Sequence, residues 1–268
     1  MASSVKVSYA RRIATITLDN DKKLNALDLE GYYALAKAMR EIAQRDDIYI
    51  TILTGKGRYF SAGADVSVGS AKGTSDAYRD WLHTFVPSNL NLTRAFYSHP
   101  KILVAALNGP AVGLSAALTA FADFVYAAPH AFLLTPFSSL GLVAEGGASR
   151  ALVQRLGVSK ANEALIMSRR ITADELVAAG YVNKIIPCDK GDDATFLRRV
   201  LAEVDDRLGG HLDGGSLLGI KALIRAPERE VLDRQNVAEV FAGLDRFVSG
   251  IPQREFQKIA SGQKRHKL

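Results

Sequence analysis

The strongest constraint on this chain is a repeated order: a short β-branched run, a turn carrying glycine, then residues at helical spacing. It occurs at "TILTGKGRYFSAGAD" and again at "LVAALNGPAVGLSAALTAFADFVYA". Strands that alternate with helices bury both faces of a largely parallel sheet, so the fold class is read as α/β. The copies are too loosely spaced for a fixed-period array. "VKVSY" and "IATITL" read as paired strands and "LEGYYALAKAMREIAQR" as a helix. "YITILTG", "KILVAAL" and "DFVYAA" read as strands and "LSAALTAFA" as a helix. "SAKGTSDAYRD" reads as a mobile surface loop, and the next stretch is predicted helical beyond Pro87.

The last 70 or so residues differ: "DATFLRRVLAEVDDRL", "SLLGIKALIRA" and "REVLDRQNVAEVFAGLDRFVSG" are helical patterns with no strand between them. The expected division is a core over residues 1–195 and a C-terminal helical assembly region with a tail over 196–268, near the boundary "PCDKGDD".

Composition narrows the function class. The chain has 268 residues, 48% hydrophobic and 23% charged, an ordinary globular mixture. No apolar run reaches the length of a membrane span, and the N-terminus lacks an apolar signal core, so secretion is not expected. One cysteine, Cys188, excludes a disulfide within the chain. The formal charge of +6 is diffuse except at the tail. It suits an anionic small molecule better than nucleic acid, for which no basic-aromatic motif is present. Glycine motifs for dinucleotides and nucleotides are missing, as is the serine nucleophile elbow. The five histidines do not pair at helical spacing, so no metal centre is expected, and each reads as a surface or partly packed residue.

Three stretches can carry chemistry. In "FSAGADV" (Phe60–Val66), small residues around Gly63 let another group approach the backbone, and a free N–H there can bind an oxyanion. By composition alone, the plainer reading is a tight turn with Asp65 as a local cap. In "NGPAVGLSAAL" (Asn108–Leu118), Gly113 turns the chain and Leu114 opens an apolar helix whose first N–H groups lack partners. The plainer reading is a connector capped by Asn108 or Ser115. In "SLGLVAEGGASRALVQRLG" (Ser139–Gly157), Glu145 is the sole acid between Asp123 and Glu163. It is either an acid at a helix N-terminus or a carboxylate kept in an apolar pocket to move protons.

In combination these stretches resemble the crotonase family of enoyl-CoA hydratases and isomerases. Phe60–Asp65 matches its F-[SAC]-A-G-A-D signature, Asn108–Gly113 matches N-G-x-A-x-G, and "NAL" at Asn25–Leu27 has the usual N-terminal position. The resemblance covers roughly residues 5–250. It implies a spiral of β-β-α units and C-terminal helices that assemble trimers or hexamers. It further implies an acyl-CoA substrate whose thioester oxygen is held by the N–H groups of Ala64 and Leu114. Coenzyme A would be part of the substrate, with no separate cofactor. Ala62, Gly63, Asp65 and Val66 would line the CoA site, with Lys23, Leu24 and Ala26 as further contacts.

The two glutamates of the family's hydratases fall here on Ala117 and, as nearest match, Phe137. Glu145 remains. "PFSSLGLVAEGGAS" resembles the peroxisomal Δ3,Δ2-enoyl-CoA isomerases of fungal type, in which a glutamate of "EGG" is the base. The resemblance implies a one-base proton shuttle from C2 to C4 of a 3-enoyl-CoA in fatty acid β-oxidation. The alternatives are a hydratase or thioesterase acting on a specialised acyl-CoA, or a non-catalytic acyl-CoA-binding protein. Asn89 and Asn91 could orient the carboxylate, although exposed helix asparagines are the plainer reading. The ending His266–Lys267–Leu268 resembles a peroxisomal address read by an import receptor, with histidine in place of the usual small residue.

Overall fold

The first two β-branched runs form a hairpin. β1 (Val5–Ala10) and β2 (Ile13–Leu18) pair antiparallel, Val5 opposite Leu18 and Ala10 opposite Ile13. The structure, a computed structural model, describes residues 4–65 and 76–264. β3 (Ile50–Gly55), β4 (Ile102–Leu107), β6 (Phe124–Ala127) and β9 (Lys184–Ile185) extend that hairpin in parallel. The strand order is β1-β2-β3-β4-β6-β9. The strands between them, β5 (Ala111–Val112), β7 (Phe132–Leu134) and β8 (Ile171–Thr172), form a second sheet in the order β5-β7-β8. Successive turns of chain therefore leave one strand in each sheet and wind as a spiral. Ile16, Ile52, Val104 and Val125 fill the centre of the large sheet, fully buried. Continuous apolar runs such as "ILVAAL" reflect a parallel sheet covered on both faces.

The helices cover these sheets. α1 (Leu29–Ala43) starts at Asp28, whose carboxylate accepts from Gly31 N–H, and buries Tyr32, Leu35, Met39 and Ile42. α2 (Ala77–Tyr97) is the longest, and α3 (Gly113–Leu118) is short and buried. α4 (Ala148–Leu165) is broken at Gly157, and α5 (Ala173–Ala178) begins on a capping box formed by Thr172 and Glu175. The C-terminal helices are α6 (Asp193–Leu208), α7 (Gly214–Arg225), α8 (Arg229–Val248) and α9 (Ile251–Ala260).

Two expectations fail in α2. The helix does not wait for Pro87. It starts ten residues earlier, where Asp76 accepts from Arg79 N–H at 3.0 Å. Pro87 is exposed within the helix, and packing of Trp81, Phe85 and Val86 compensates the missing N–H bond. Ala77–Asp80, expected in a loop, therefore belong to the helix, and residues 70–75 of that loop lie outside the described residues. His99 also departs from the reading as a surface or partly packed residue. It is buried, and its Nε2 lies 2.8 Å from Thr51 Oγ1.

α2 and α8 pack along one another. Trp81 stacks on Phe247 with ring centroids 4.5 Å apart, and Phe85, Val86, Val240 and Leu244 complete the contact. A Cβ on Gly243 would come within 2.9 Å of the Phe85 ring, so the small residue sets the helix separation. Asn236 Nδ2 of α8 donates to Leu90 O of α2. This join holds two polar side chains, Asn89 and Glu239, close to one loop.

Candidate active site

The two glycine turns meet face to face. Ser61 and Ala111 form a parallel bridge, Val112 N–H donates to Ser61 O at 2.9 Å, and Phe60 and Ser61 donate to Pro110 O. Gly63 has φ +90°, and a Cβ there would stand 2.8 Å from Val112 O. Gly113 has φ +60°, and a Cβ there would come 3.9 Å from Gly63 Cα. Ser61 Oγ joins the turns from beneath, 2.9 Å from Ser115 Oγ and 2.8 Å from Asn25 O. Asn108 is not a helix cap. Its amide straps the preceding loop by accepting from Gly55 N–H and donating to Gly57 O and Tyr59 O.

The N–H groups along the first turn are not equivalent. Ala62 donates to Leu24 O at 2.8 Å, Gly63 to Ser61 Oγ, and Asp65 to Leu27 O. Among the described residues, nothing accepts from Ala64 N–H. Leu114 N–H lies in the first turn of α3, where no intrahelical acceptor exists, and the capping residue Val112 supplies no side-chain bond. Ala64 and Leu114 thus carry the donors left over by the two turns. Asp65 Oδ2 also pairs with Lys23 Nζ at 2.6 Å, across to the segment before β-bridged Leu27.

Glu145 faces the same cavity. The space is about 130 Å³ and is bordered by Ala62, Ala64, Gly113 and Leu114 on one side. Pro136, Phe137, Leu140 and Leu142 form another wall, and Phe256 and Ile259 of α9 close it. Glu145 is the one ionisable side chain among these lining residues. Its Oε2 accepts from Asn89 Nδ2 at 2.8 Å. Burial pushes the carboxyl up to about 7. The Asn89 hydrogen bond works against that rise, and the charge of Glu239 adds to it. A carboxyl raised this far has both protonation states within reach near neutral pH, a property that proton exchange requires.

Gly146 and Gly147 set the carboxylate in place. Both have left-handed backbone, φ +70° and +71°. A Cβ on Gly146 would strike Leu114 at 2.5 Å and meet Ala117 at 3.2 Å, and one on Gly147 would strike Phe121 at 2.6 Å. The absence of side chains lets the turn settle against α3. Ala117 and Phe137, onto which the sequence resemblance would place the hydratase acids (Phe137 only as the nearest match), are apolar and buried here.

The matches to known proteins follow this geometry. The family model described as Enoyl-CoA hydratase/isomerase matches residues 9–201. The chain belongs to the enoyl-CoA hydratase/isomerase family. Within that family it is 64% identical, over the whole of both chains, to a Pyricularia oryzae protein named Delta(3,5)-Delta(2,4)-dienoyl-CoA isomerase. It is 36% identical to a Saccharomyces cerevisiae 3,2-trans-enoyl-CoA isomerase, covering 94% of this chain and 92% of the relative. The solved structure of OdaA from Pseudomonas aeruginosa superposes with a TM-score of 0.83 at 27% identity, covering 96% and 99% of the two chains. The crotonase spiral expected from the sequence is the fold observed.

Of the predicted site residues, Ala62, Ala64, Leu114 and Glu145 border one cavity together with Gly113. Gly63 sits within the first turn, against Val112 and Gly113, and does not border the cavity. Lys23, Leu24 and Ala26 flank that turn through the Leu24–Ala62 and Lys23–Asp65 bonds and do not border the cavity. Val66 and the tail residues His266, Lys267 and Leu268 lie outside the described residues. Asn89 is not an exposed asparagine: it is 2% exposed and bonded to Glu145, whereas Asn91 turns away to accept from Arg40. Sequence reasoning missed Phe256, Ile259 and the buried acid Glu239.

Proposed function

We propose that this enzyme moves the double bond of a 3-enoyl-CoA to give the 2-trans-enoyl-CoA, with Glu145 as the sole proton carrier. The observation that carries the reading is one carboxylate, tuned to about 7, in an apolar cavity shared with two unpartnered backbone donors. Glu145 takes the proton from C2, and the C2–H electron pair spreads over the thioester. The N–H groups of Ala64 and Leu114 meet the oxygen that gains charge, each contributing roughly 3–4 kcal/mol. The proton then passes from Glu145 to C4, leaving the double bond between C2 and C3. C2 and C4 lie two bonds apart on one face, within reach of one carboxyl group. Asn89 holds the carboxylate between them.

This transfer needs no separate cofactor, since coenzyme A enters with the substrate. Ala62, Gly63 and Asp65 would carry the CoA moiety, with Val66 next in sequence and Lys23, Leu24 and Ala26 beside them. Exposed Ile220, Leu223 and Ile224 on α7 support assembly into trimers or hexamers through the C-terminal helices. The tail His266–Lys267–Leu268 supports import into peroxisomes through a receptor for C-terminal signals.

A second reading rests on the 64% identical relative named as a dienoyl-CoA isomerase. Converting a 3,5-diene to a 2,4-diene also begins by taking a proton from C2, but returns it at C6. The lining residues offer no second acid for that position, which favours the 3-enoyl substrate. The test compares purified enzyme on 3-enoyl-CoA and 3,5-dienoyl-CoA, alongside Glu145→Gln. We expect turnover of the 3-enoyl ester, lowered about 10²–10⁴-fold in the variant. Preference for the dienoyl ester selects the second reading, and near-normal turnover by Glu145→Gln removes both.

A further inference from the structure

Position alone suggested a different task for Glu145, as the acid that stabilises the N-terminus of α4. The structure gives that task to another residue. Glu239, on α8, is 5% exposed and reaches across to the start of α4. Its Oε2 accepts from Gly147 N–H at 2.6 Å, and its Oε1 accepts from Ser149 N–H at 2.8 Å and from Ser149 Oγ. One turn earlier on α8, Gln235 Nε2 donates to Ser149 Oγ at 2.6 Å. The capping residue Gly147 has no side chain with which to take these donors itself.

We propose that Glu239 is a positioning residue for the reaction: it occupies the helix donors and clamps the Gly146–Gly147 turn, so that Glu145 stays turned into the cavity and free of the α4 donors. The proposal rests on the reading of Glu145 as the proton carrier. The physical reason is competition. N–H groups at a helix start attract whichever carboxylate is nearest and stabilise its charged form. Glu145 precedes α4 by three residues and would be the natural occupant. A carboxylate bound there would point away from the substrate and be too weakly basic to attack a C–H bond. Glu239 fills the position first, leaving Glu145 a single neutral donor, Asn89.

The same contact acts through charge. The groups facing Glu145 are Asn89 from α2, Glu239 from α8, and buried Tyr32 from α1, whose hydroxyl is held well above its ordinary pKa and stays neutral. Among the described residues Glu239 is the acidic neighbour: burial raises its own carboxyl, the Ser149 and Gly147 donors favour its charged form, and that charge disfavours ionisation of Glu145. Around Glu239 itself stand Ser149, Gln235 and the Gly147 N–H.

The experiment is Glu239→Gln in the full chain, assayed for kcat and KM on 3-enoyl-CoA across pH 5–9, with thermal melting as the check on folding. We expect kcat to fall about tenfold with KM unchanged, and the pH midpoint of kcat/KM to move down by about half a unit or more, because the repelling charge is gone and the helix donors become open to Glu145. Glu239→Asp, which keeps the charge, should restore the midpoint in part. A folded Glu239→Gln with the wild-type midpoint overturns the proposal, whatever its kcat. If that variant does not fold, Ser149→Ala loosens the same clamp, and a fall in kcat of about threefold at constant KM is expected. Wild-type kcat in Ser149→Ala overturns the proposal in that case. Glu145→Gln run in parallel separates the two ideas. An active Glu145→Gln removes the base assignment, whereas an inactive one beside an unshifted Glu239→Gln removes only the role of Glu239.

Discussion

Asp123 and Glu145 are both carboxylates drawn largely out of water, and the protein treats them in opposite ways. Asp123 meets Lys221 at 2.6 Å, Arg225 at 2.8 Å and Leu103 N–H at 2.8 Å. Burial alone would raise its pKa, but these partners more than offset it and hold the carboxyl below its ordinary value. Among the described residues Glu145 receives one amide hydrogen bond and no cation, and burial wins. The first arrangement fixes a charge so that α7 stays docked against β4. The second leaves a charge undecided so that a proton can come and go. Burial does not distinguish a structural acid from a chemical one; the number and charge of the partners do.

The comparison breaks most severely at Asp123. Asp123→Ala leaves Lys221, whose side chain is 8% exposed, without its counter-charge. Chemical denaturation at pH 7 should register a loss of about 3–5 kcal/mol, with the remaining folded enzyme keeping its turnover. In the wild type, a depressed carboxyl contributes stability above its unfolded pKa, and that contribution is lost as pH falls through the folded value.

Glu145 should behave with the reverse sign. Its raised pKa favours folding below the ordinary carboxyl range, and that contribution is lost as pH rises through about 7. Glu145→Gln should therefore unfold at higher denaturant than wild type at pH 8, by up to about 3 kcal/mol, with little difference at pH 4. Equal curves at pH 8 would place Glu145 in a more watery setting than its neighbours imply.

The smallest effect sharpens the point. In wild type, kcat/KM should rise with pH to a midpoint near 7, because the base must be ionised to take the C2 proton. Asn89→Ala removes the one partner favouring that ionised form. The midpoint should move upward, and kcat should fall about tenfold as the carboxylate loses its anchor. A downward movement would mean that the Asn89 amide does not serve the charged form.

Much of this was legible in sequence, and the misses share a cause. β-branched runs and the two glycine signatures announce the strands and the donor turns, because those features are local. Asn89 and Glu239 are functional through distant contacts. Both nonetheless carry a signal. Once α2 is allowed to run through Pro87, Asn89 falls on the same stripe as Trp81, Phe85, Leu92 and Phe96. Glu239 falls on the buried stripe of α8 with Leu232, Asn236, Val240 and Gly243. A polar residue on an apolar stripe must find a partner inside the protein, and pattern alone does not say which. α9 was missed because its short helix buries few of its own residues, although Phe256 and Ile259 border the cavity.

That cavity spans Ala62 to Ile259, which has a consequence for how the enzyme comes into being. Donors, base, clamp and closing wall are translated far apart, in that order, and the site requires them all. A ribosome that has released the chain only as far as α6 holds a turn with open donors and an acid, but neither the α8 residue that occupies the α4 donors nor the α9 wall. Contacts of such sequence separation form late and slowly. Activity should therefore appear in one step once α9 has emerged, and a nascent chain would carry the half-made apolar cavity as exposed surface that folding helpers could bind.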